Sequence, residues 1–304
     1  MLSHSFTYQE CLDISKRVSW LEDDVLADKN FDFSKRFLPN RLAGVDEIGC
    51  LNDDEKLKLN QIMGNGYCHL FAFVEEFIIP TVTEEAMKDV YGDEVRARSL
   101  LRFAEEEFKH QELFRRSVDL FGQGFGVECG LIPGREAVAE VVRSKSKLAV
   151  MLLTAIIEWF TQLHYIEHVR DEADLDGLFR DLLRFHWLEE AQHAKLDTLL
   201  IGEVAEDLTL EEREAAVDEV LELGGAIDGL LAQQIGLNID ALEKATGRTF
   251  TEVEKEEITT NTQRAWRWTF LVSGLQHPNI VRAIGELTTE GPGKVQGVAA
   301  ALSA

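Results

Sequence analysis

Two stretches of this chain combine a glutamate and a histidine, three residues apart, with apolar residues at helical spacing. In residues 93–122 the apolar stripe passes from Phe103 through Glu107 and His110 to Phe114. Burying an isolated carboxylate costs several kcal/mol unless it is paired, protonated or bound to a metal, so something must compensate for Glu107. Residues three apart project from one side of a helix, so the pair has the spacing of two ligands for one metal ion. By itself this is weak evidence, because a surface pair or a hydrogen-bonded core pair shows the same spacing.

The second stretch, residues 173–200, strengthens the metal interpretation. His186, Glu190 and His193 share its apolar stripe in the pattern H-x-x-x-E-x-x-H. Two E-x-x-H pairs on separate long helices are hard to obtain by accident. Asp197 lies one turn after His193, where a carboxylate can orient the imidazole, and a solvated acid near the end of the helix is the alternative.

A dimetal site in a four-helix bundle also needs a glutamate from each of two further helices. Residues 146–170 offer Glu158, the only charge between Leu148 and Phe160. The helix cannot bury this apolar stretch without burying Glu158 as well, so we expect Glu158 to be a ligand. Glu167 lies on the more polar half of the same helix and is the reserve candidate.

The remaining glutamate comes from residues 53–79, where Glu75 and Glu76 are adjacent. When the helix is projected at about 100° per residue, Glu76 falls nearer than Glu75 to the apolar side that Leu70, Phe73 and Phe77 define. We therefore expect Glu76 to be the ligand and keep Glu75 as the alternative.

The predicted ligand set carries four carboxylates and three imidazoles. Four negative charges at low dielectric are balanced by two divalent cations, whereas without metal the same carboxylates must take up protons. Oxygen and imidazole donors without thiolate favour iron or manganese. The expectation of two Fe ions, with Mn as the alternative, rests on metal availability and on the family resemblance given below. The residues expected to bind the metal and to carry the catalysis are Glu76, Glu107, His110, Glu158, His186, Glu190 and His193.

The segments that position these residues are predicted to be helices. Five prolines interrupt 304 residues, apolar residues recur almost everywhere at i, i+3, i+4 and i+7, and no stretch of strand periodicity is visible. Capping boxes that begin at Asn52, Thr209 and Thr251, and an opening proline at Pro278, mark helix starts. The predicted helices cover residues 8–20, 53–79, 93–122, 135–143, 146–170, 173–200, 210–235, 252–273 and 279–287.

This pattern predicts an all-α fold, with a four-helix bundle core and additional N-terminal and C-terminal helices. No tandem repeat or low-complexity linker divides the chain, so we expect a single helical domain over residues 1–304. The metal-binding core covers about residues 53–200, and a C-terminal helical extension covers about residues 209–304.

The ordered set Glu, E-x-x-H, Glu, H-x-x-x-E-x-x-H resembles that of the ferritin-like di-iron carboxylate proteins. The version with the additional histidine, His186, is similar to the AurF-type di-iron N-oxygenases, which oxidise aryl amines such as p-aminobenzoate. The likeness covers roughly residues 53–200. It implies a ferritin-like bundle and an oxidoreductase of the monooxygenase type, with O2 as co-substrate.

The activity implied by the resemblance is oxygen transfer to a small organic substrate, in particular N-oxygenation of an aryl amine. Two alternatives stay open. One is a di-iron oxidase, desaturase or hydroxylase that acts on an aliphatic or lipid-like substrate, and the other is a non-catalytic ferritin-like metal-binding protein.

Composition limits the partners. Lys and Arg number 31 against 55 Asp and Glu, and the net charge of −24 argues against binding to a nucleic-acid backbone. The longest apolar run, Leu148 to Ile157, is about half of the ~20 residues that cross a bilayer, so no transmembrane helix is expected. The expected partners are a small-molecule substrate and an external electron donor, without nucleic acid or membrane, and a homodimer stays open.

The cysteines and the amino terminus indicate the compartment. Cys11, Cys50, Cys68 and Cys129 are widely spaced without a C-x-x-C pair, which argues against a disulfide framework and against a thiolate zinc site. No basic start or apolar core of a targeting peptide is visible. We therefore expect a cytoplasmic protein with reduced thiols.

Overall fold

The computed structural model describes residues 4–303. Within this part of the chain the backbone is helical or irregular, and the β-type pairing consists of an isolated bridge between Arg36 and Leu175. The predicted all-α class is therefore confirmed.

Long helices build most of the described chain, and two π-helical turns, Tyr165–Val169 and Trp268–Val272, continue α7 and α10. The helices are α1 (Tyr8–Val18), α2 (Glu22–Leu26), α3 (Asn40–Ala43), α4 (Asp53–Met87), α5 (Glu94–Phe125), α6 (Arg135–Arg143), α7 (Lys147–His164), α8 (Gly177–Glu206), α9 (Leu210–Thr246), α10 (Glu252–Arg267), α11 (Ser273–Leu275), α12 (Pro278–Leu287) and α13 (Gly291–Ser303).

Local sequence signals set several helix starts. Asn52, Thr209 and Thr251 are N-caps, and each forms a capping box with the glutamate three residues later. In α4, for example, the Glu55 amide donates to the Asn52 side chain at 3.0 Å while Asn52 N–H donates to the Glu55 carboxylate at 2.9 Å. Pro278 occupies the first turn of α12, where its missing N–H has no helical partner to lose. These four start signals are confirmed.

Some helix ends differ from the prediction. α4 continues through Pro80 to Met87, because the buried residues Val82 and Ala86 keep the later turns packed although proline removes one backbone hydrogen bond. α9 runs to Thr246 and ends at Gly247, whose φ of 67° is the left-handed C-cap conformation. The short helices α2 and α3 and the glycine-containing α13 were not expected.

The bundle core consists of α4, α5, α7 and α8. α4 packs along α5, α7 packs along α8, and α1 lies across α5 and α8. On the other side, α9 covers α4 and α7, and the C-terminal helices pack against α7 and α9. The four core helices are those that carry the predicted ligands.

The segment Lys147–Val169, which is α7 with its π-helical turn, lies at the centre of this arrangement. Among the described helices it has the length and composition of a membrane span, with a mean hydropathy of 1.3, but 83% of that window is buried inside the protein. Such burial is typical of a central bundle helix, and the expectation of no membrane contact stays a prediction.

A close helix contact holds α11 against α7. A Cβ atom added to Gly274 would lie 2.6 Å from the Ile156 Cγ2 atom and 2.9 Å from the Ile156 carbonyl oxygen. Only glycine leaves room for this approach.

Candidate metal centre

Ligand-type side chains from all four core helices meet in the centre of the bundle. Each is at most 2% exposed, so the group is isolated from solvent. Its members are Glu75 on α4, Glu107 and His110 on α5, Glu158 on α7, and His186, Glu190 and His193 on α8. We call these seven residues the metal cluster.

The structure places Glu75, and not the expected Glu76, among the other ligand-type side chains. Glu75 is buried and accepts a hydrogen bond from His186 Nε2 at 3.0 Å, whereas Glu76 is partly exposed and accepts one from Arg115 at 2.5 Å. The prediction took Phe73 and Phe77 as the bundle face of α4, but these residues pack towards α6 and α9. α4 is buried on more than one side, so its apolar residues do not define a single inner face.

The carboxylate of Glu190 lies at the centre of the metal cluster. Its oxygens are 2.8 Å from His110 Nδ1, 2.7 Å from His186 Nε2 and 3.2 Å from His193 Nδ1. The Glu107 carboxylate is 2.9 Å from His193 Nδ1. One side chain on α8 therefore contacts imidazoles from two helices, α5 and α8.

Two groups of four side chains offer ligand atoms that all lie within 4.8 Å of one another. Both groups contain His110 and Glu190, which places the two groups side by side. The first group adds Glu75 and His186, and the second adds Glu107 and His193. Glu158 belongs to neither group but is buried beside Glu190.

The donor atoms themselves fit metal ions. Both Glu107 oxygens, one oxygen each of Glu75 and Glu158, and His110 Nδ1 are buried without a hydrogen-bond partner. His110 Nδ1 lies close to Glu190 but without the angles of a hydrogen bond. Buried polar atoms are almost always satisfied, so unpaired lone pairs around one small volume indicate a bound cation.

The pKa shifts of the glutamates in the metal cluster indicate that the metal-free protein keeps part of the cluster protonated. Burial raises the pKa of Glu158 well above its ordinary value, and the neighbouring Glu190 charge raises it further. Burial would also raise the pKa of Glu190, but His186 and His193 outweigh burial and hold it well below its usual range. Without metal the cluster therefore retains protons, which divalent ions displace on binding.

Two glutamates that were not predicted from the sequence accept hydrogen bonds from the Nε2 atoms of two histidines in the metal cluster. His193 Nε2 donates to Glu106 at 2.9 Å, and His110 Nε2 donates to Glu189 at 3.0 Å. The pairing is crossed, since Glu106 on α5 holds the α8 histidine and Glu189 on α8 holds the α5 histidine. A carboxylate on Nε2 fixes the imidazole with Nδ1 free to bind metal.

Both outer glutamates are fully satisfied. Glu106 also accepts hydrogen bonds from Ser15 at 2.6 Å and Gln192 at 2.5 Å, and Glu189 accepts one from Lys109 at 2.5 Å. Burial opposes ionisation of Glu106, but the hydrogen bond and charge of His193 prevail and lower its pKa to about 2. The sequence signal was present, because each metal-binding pair is part of a longer motif, E-E-x-x-H.

The two secondary candidates differ in position, since Asp197 is buried near His193 and Glu107 whereas Glu167 is exposed. Asp197 is 1% exposed, so it is not the solvated acid of the alternative, and His193 is oriented by Glu106 instead. Burial raises the pKa of Asp197 well above its ordinary value. Glu167 is exposed at the surface and is not a reserve ligand.

Aromatic rings surround the imidazoles and keep water away. Phe103 stacks on His193 with ring centroids 4.0 Å apart. The rings of Phe71 and Phe114 form T-shaped contacts with the His186 ring, with centroid distances of 5.3 Å and 4.8 Å. Trp20 stacks on His110 at 5.9 Å. The site is therefore dry, which strengthens electrostatic interactions within it.

The fold and the site together define a class. Two helices contribute an E-x-x-H pair, two others contribute one glutamate each, and all project into the core of one four-helix bundle, which is the arrangement of ferritin-like dimetal carboxylate proteins. The expected ferritin-like bundle is thus confirmed, and the described residues form a site suited to two metal ions.

Comparisons with known proteins add the following. No protein-family model matches the chain, and no curated protein matches it. Similar solved structures include a variant of an R2-like ligand-binding oxidase with an aerobically reconstituted Mn/Fe cofactor, at a TM-score of 0.48 and 13% identity over 86% of this chain and 94% of that one. The same kind of oxidase with an anaerobically reconstituted Mn/Fe cofactor gives 0.47 and 14%, over 86% and 93%.

Proposed function

We propose that this protein is an O2-activating dimetal oxidase and that the metal cluster is its active site. The observation that carries the proposal is the convergence of unpaired carboxylate and imidazole donors in a dry bundle core. Oxygen and nitrogen donors without thiolate suit iron, which we propose for both positions, or manganese. The side chains of the metal cluster would hold two redox-active ions, which would supply electrons for the reduction of O2, and an external donor would restore them.

The protein's own contribution is to hold the donors and to exclude water. Glu106 and Glu189 keep Nδ1 of His193 and His110 directed at the metal cluster. Phe71, Phe103 and Phe114 keep the surroundings apolar. A fixed ligand geometry in a water-excluded site favours transfer of oxidising equivalents to a bound small organic substrate over loss to solvent.

N-oxygenation of an aryl amine is the finer form of this proposal, and it rests on the additional histidine, His186. The surroundings favour a second candidate, a hydroxylase, desaturase or oxidase with a neutral apolar substrate. An anionic amine such as p-aminobenzoate needs a cation, but Lys109 is already paired with Glu189, and Arg102 with Glu106. The phenylalanines around His186 offer contacts to a hydrocarbon instead.

The metal content of purified protein tests the proposal. We expect about two metal ions per chain in the natural protein and loss of most of them in Glu107→Ala, measured by plasma mass spectrometry. Glu105→Ala is the matched control, because Glu105 is the exposed neighbour of Glu106 on the same helix. A non-catalytic helical scaffold predicts the same metal content in all three proteins.

Product analysis separates the two substrate classes. Reduced, metal-loaded protein is exposed to 18O-labelled O2 with either p-aminobenzoate or a neutral alkylbenzene. Labelled nitroso or nitro product supports N-oxygenation, and labelled alcohol or an alkene supports the second candidate. Metal-loaded protein that consumes no O2 with a reductant contradicts the proposed oxidase.

A further inference from the structure

An apolar cavity of 160 Å³ lies between α4, α6, α7 and α9. All fourteen side chains that line it are apolar. On α4 the lining residues include Phe73 and Phe77, each two positions from Glu75 and so about 160° around the helix from it. The cavity therefore lies on the opposite face of α4 from the metal cluster and is a separate site.

The walls of this cavity offer no partner to water or to a charged group. An apolar cavity of about 150 Å³ lined by Leu, Ile and Phe is known to stay dry and to bind benzene. A charged ligand would lose its hydration there without gaining a hydrogen bond. A ligand that fills a space of this size gains dispersion contacts with the side chains that line it.

α6 covers the cavity and is attached at both ends to the bundle. Before α6, the Ile132 amide donates to Gln234 at 2.9 Å, and after it, the Ser146 amide donates to Glu219 at 2.9 Å. Between these anchors Val142 is buried, while Val141 is 46% exposed at the rim. The helix is therefore a cover held at its ends, with apolar contacts beneath it.

We propose that this cavity binds a small, neutral, apolar molecule, an aromatic ring or a hydrocarbon of similar size, and that α6 is its lid. The volume limits the buried part of the ligand to about the size of benzene or toluene. The exposed Ala226 on α9 and Val141 on α6 both line the cavity, so they mark its mouth. Binding requires no metal, so the proposal is independent of the proposed oxidase activity.

Benzene is the probe for this site. Binding is measured by calorimetric titration and by the shift of the melting temperature, with the full chain in both metal-loaded and metal-free form. We expect saturable binding and a higher melting temperature in both forms, whereas benzylammonium, a charged ring of similar size, gives neither at the same concentration. A metal content of zero leaves this result unaffected, so failure of the oxidase proposal and failure of the cavity proposal are distinguishable.

Substitutions at the mouth locate the binding. Ala226→Phe places a ring in the opening and is expected to weaken benzene binding by about tenfold or more. Ala232→Phe is the matched control, because Ala232 is exposed on the same helix but does not line the cavity. Should Ala226→Phe not fold, as judged by circular dichroism, the smaller Ala226→Leu takes its place. Absence of saturable binding to the natural protein, equal weakening in the 226 and 232 variants, or equally tight binding of benzylammonium overturns the proposal.

Discussion

At the scale of single residues, the crossed contacts of Glu106 and Glu189 explain how the imidazoles are held. Each carboxylate is buried, accepts a hydrogen bond from one histidine of the metal cluster, and is itself held by a side chain outside that cluster. Rotating either imidazole would leave a buried charge without its partner, which is costly. The histidines are therefore positioned before metal arrives.

Replacing either outer carboxylate should weaken metal binding without removing a ligand. We expect Glu106→Gln and Glu189→Gln to lower metal affinity by about 10-fold to 100-fold, because an amide no longer fixes the imidazole tautomer. Competition with a chelator of known affinity measures the change. Glu105→Gln, an exposed neighbour, is the control, and equal affinity in all variants would contradict the positioning role.

The adjacent glutamates of α4 provide a second residue-scale prediction. Glu75→Ala removes a buried donor of the metal cluster and should cause loss of metal, whereas Glu76→Ala removes a partly exposed ion pair with Arg115 and should retain it. Metal analysis of the two variants, purified in parallel, gives the answer. Retention in Glu75→Ala together with loss in Glu76→Ala would restore the original assignment.

His164, outside the metal cluster, should make stability depend on pH. Burial and the charge of His168 lower the pKa of His164 to about 3, while the unfolded chain keeps about 6.5. Between these values the unfolded state binds a proton that the folded state refuses, so stability is lost as the pH falls from about 6.5 towards 3.

Urea unfolding of the metal-free protein between pH 4 and 6 measures this term. We expect the free energy of unfolding of His164→Gln to fall less steeply than that of the natural protein, by up to about 1.4 kcal/mol per pH unit. His4→Gln, at an exposed histidine, should follow the natural protein. Parallel curves for all three would show that His164 does not titrate as described.

Sequence reasoning predicted six residues of the metal cluster, because a charge on an otherwise apolar helix face is a strong signal. Glu75 was not chosen because α4 is apolar on several sides, and periodicity identifies an inner face only where the other faces are polar. Glu106 and Glu189 were missed because a residue adjacent to a ligand projects about 100° away from it. The packing of α1 and α8 beside α5 makes that second face of α5 an interior one.

At the scale of elements, helix interiors were predictable and helix ends were less so. The prediction for α6 matches its bounds, and the starts of α4, α9 and α10 follow from capping boxes. The path of α4 through Pro80 and the helix after Gly291 depend on tertiary packing that outweighs local preference. The contact of α11 with α7 also depends on tertiary packing, because no local sequence pattern near Gly274 predicts it.

Replacement by alanine is expected to have opposite effects at Gly274, which lies in this contact, and at Gly236, which does not. Gly274→Ala should lower the free energy of unfolding by about 1–3 kcal/mol, because the new methyl group overlaps Ile156. Gly236→Ala on α9, where no atom lies within 4 Å of the added carbon, should raise it by about 0.5–1 kcal/mol. Denaturant unfolding of both variants measures the difference, and an equal effect at the two sites would show that α11 does not lie as described.

At the scale of the whole molecule, metal binding and folding are expected to be one equilibrium. The metal cluster collects four buried glutamates in a chain that already carries a net charge of −24. The unfolded chain has no preformed site, so the binding free energy adds to the stability of the folded state.

Removal of metal should therefore lower the melting temperature. Calorimetry of the natural protein before and after chelation and dialysis measures the shift, with metal content verified in both samples. Glu75→Ala, expected to lack metal, should not respond to the chelator. An unchanged melting temperature in verified metal-free natural protein would count against a structural contribution.

The histidine on α5 is held by a glutamate on α8, and a histidine on α8 is held by a glutamate on α5. A fragment that ends before α8 would still contain Glu107 and His110, yet His110 would lack the carboxylate that orients it, and α8 by itself would be equally incomplete. Neither helix alone contains both a histidine ligand and the carboxylate that orients it. Tight binding of the ions therefore requires that the two E-E-x-x-H helices have docked in register, so metal binding selects the correctly assembled bundle.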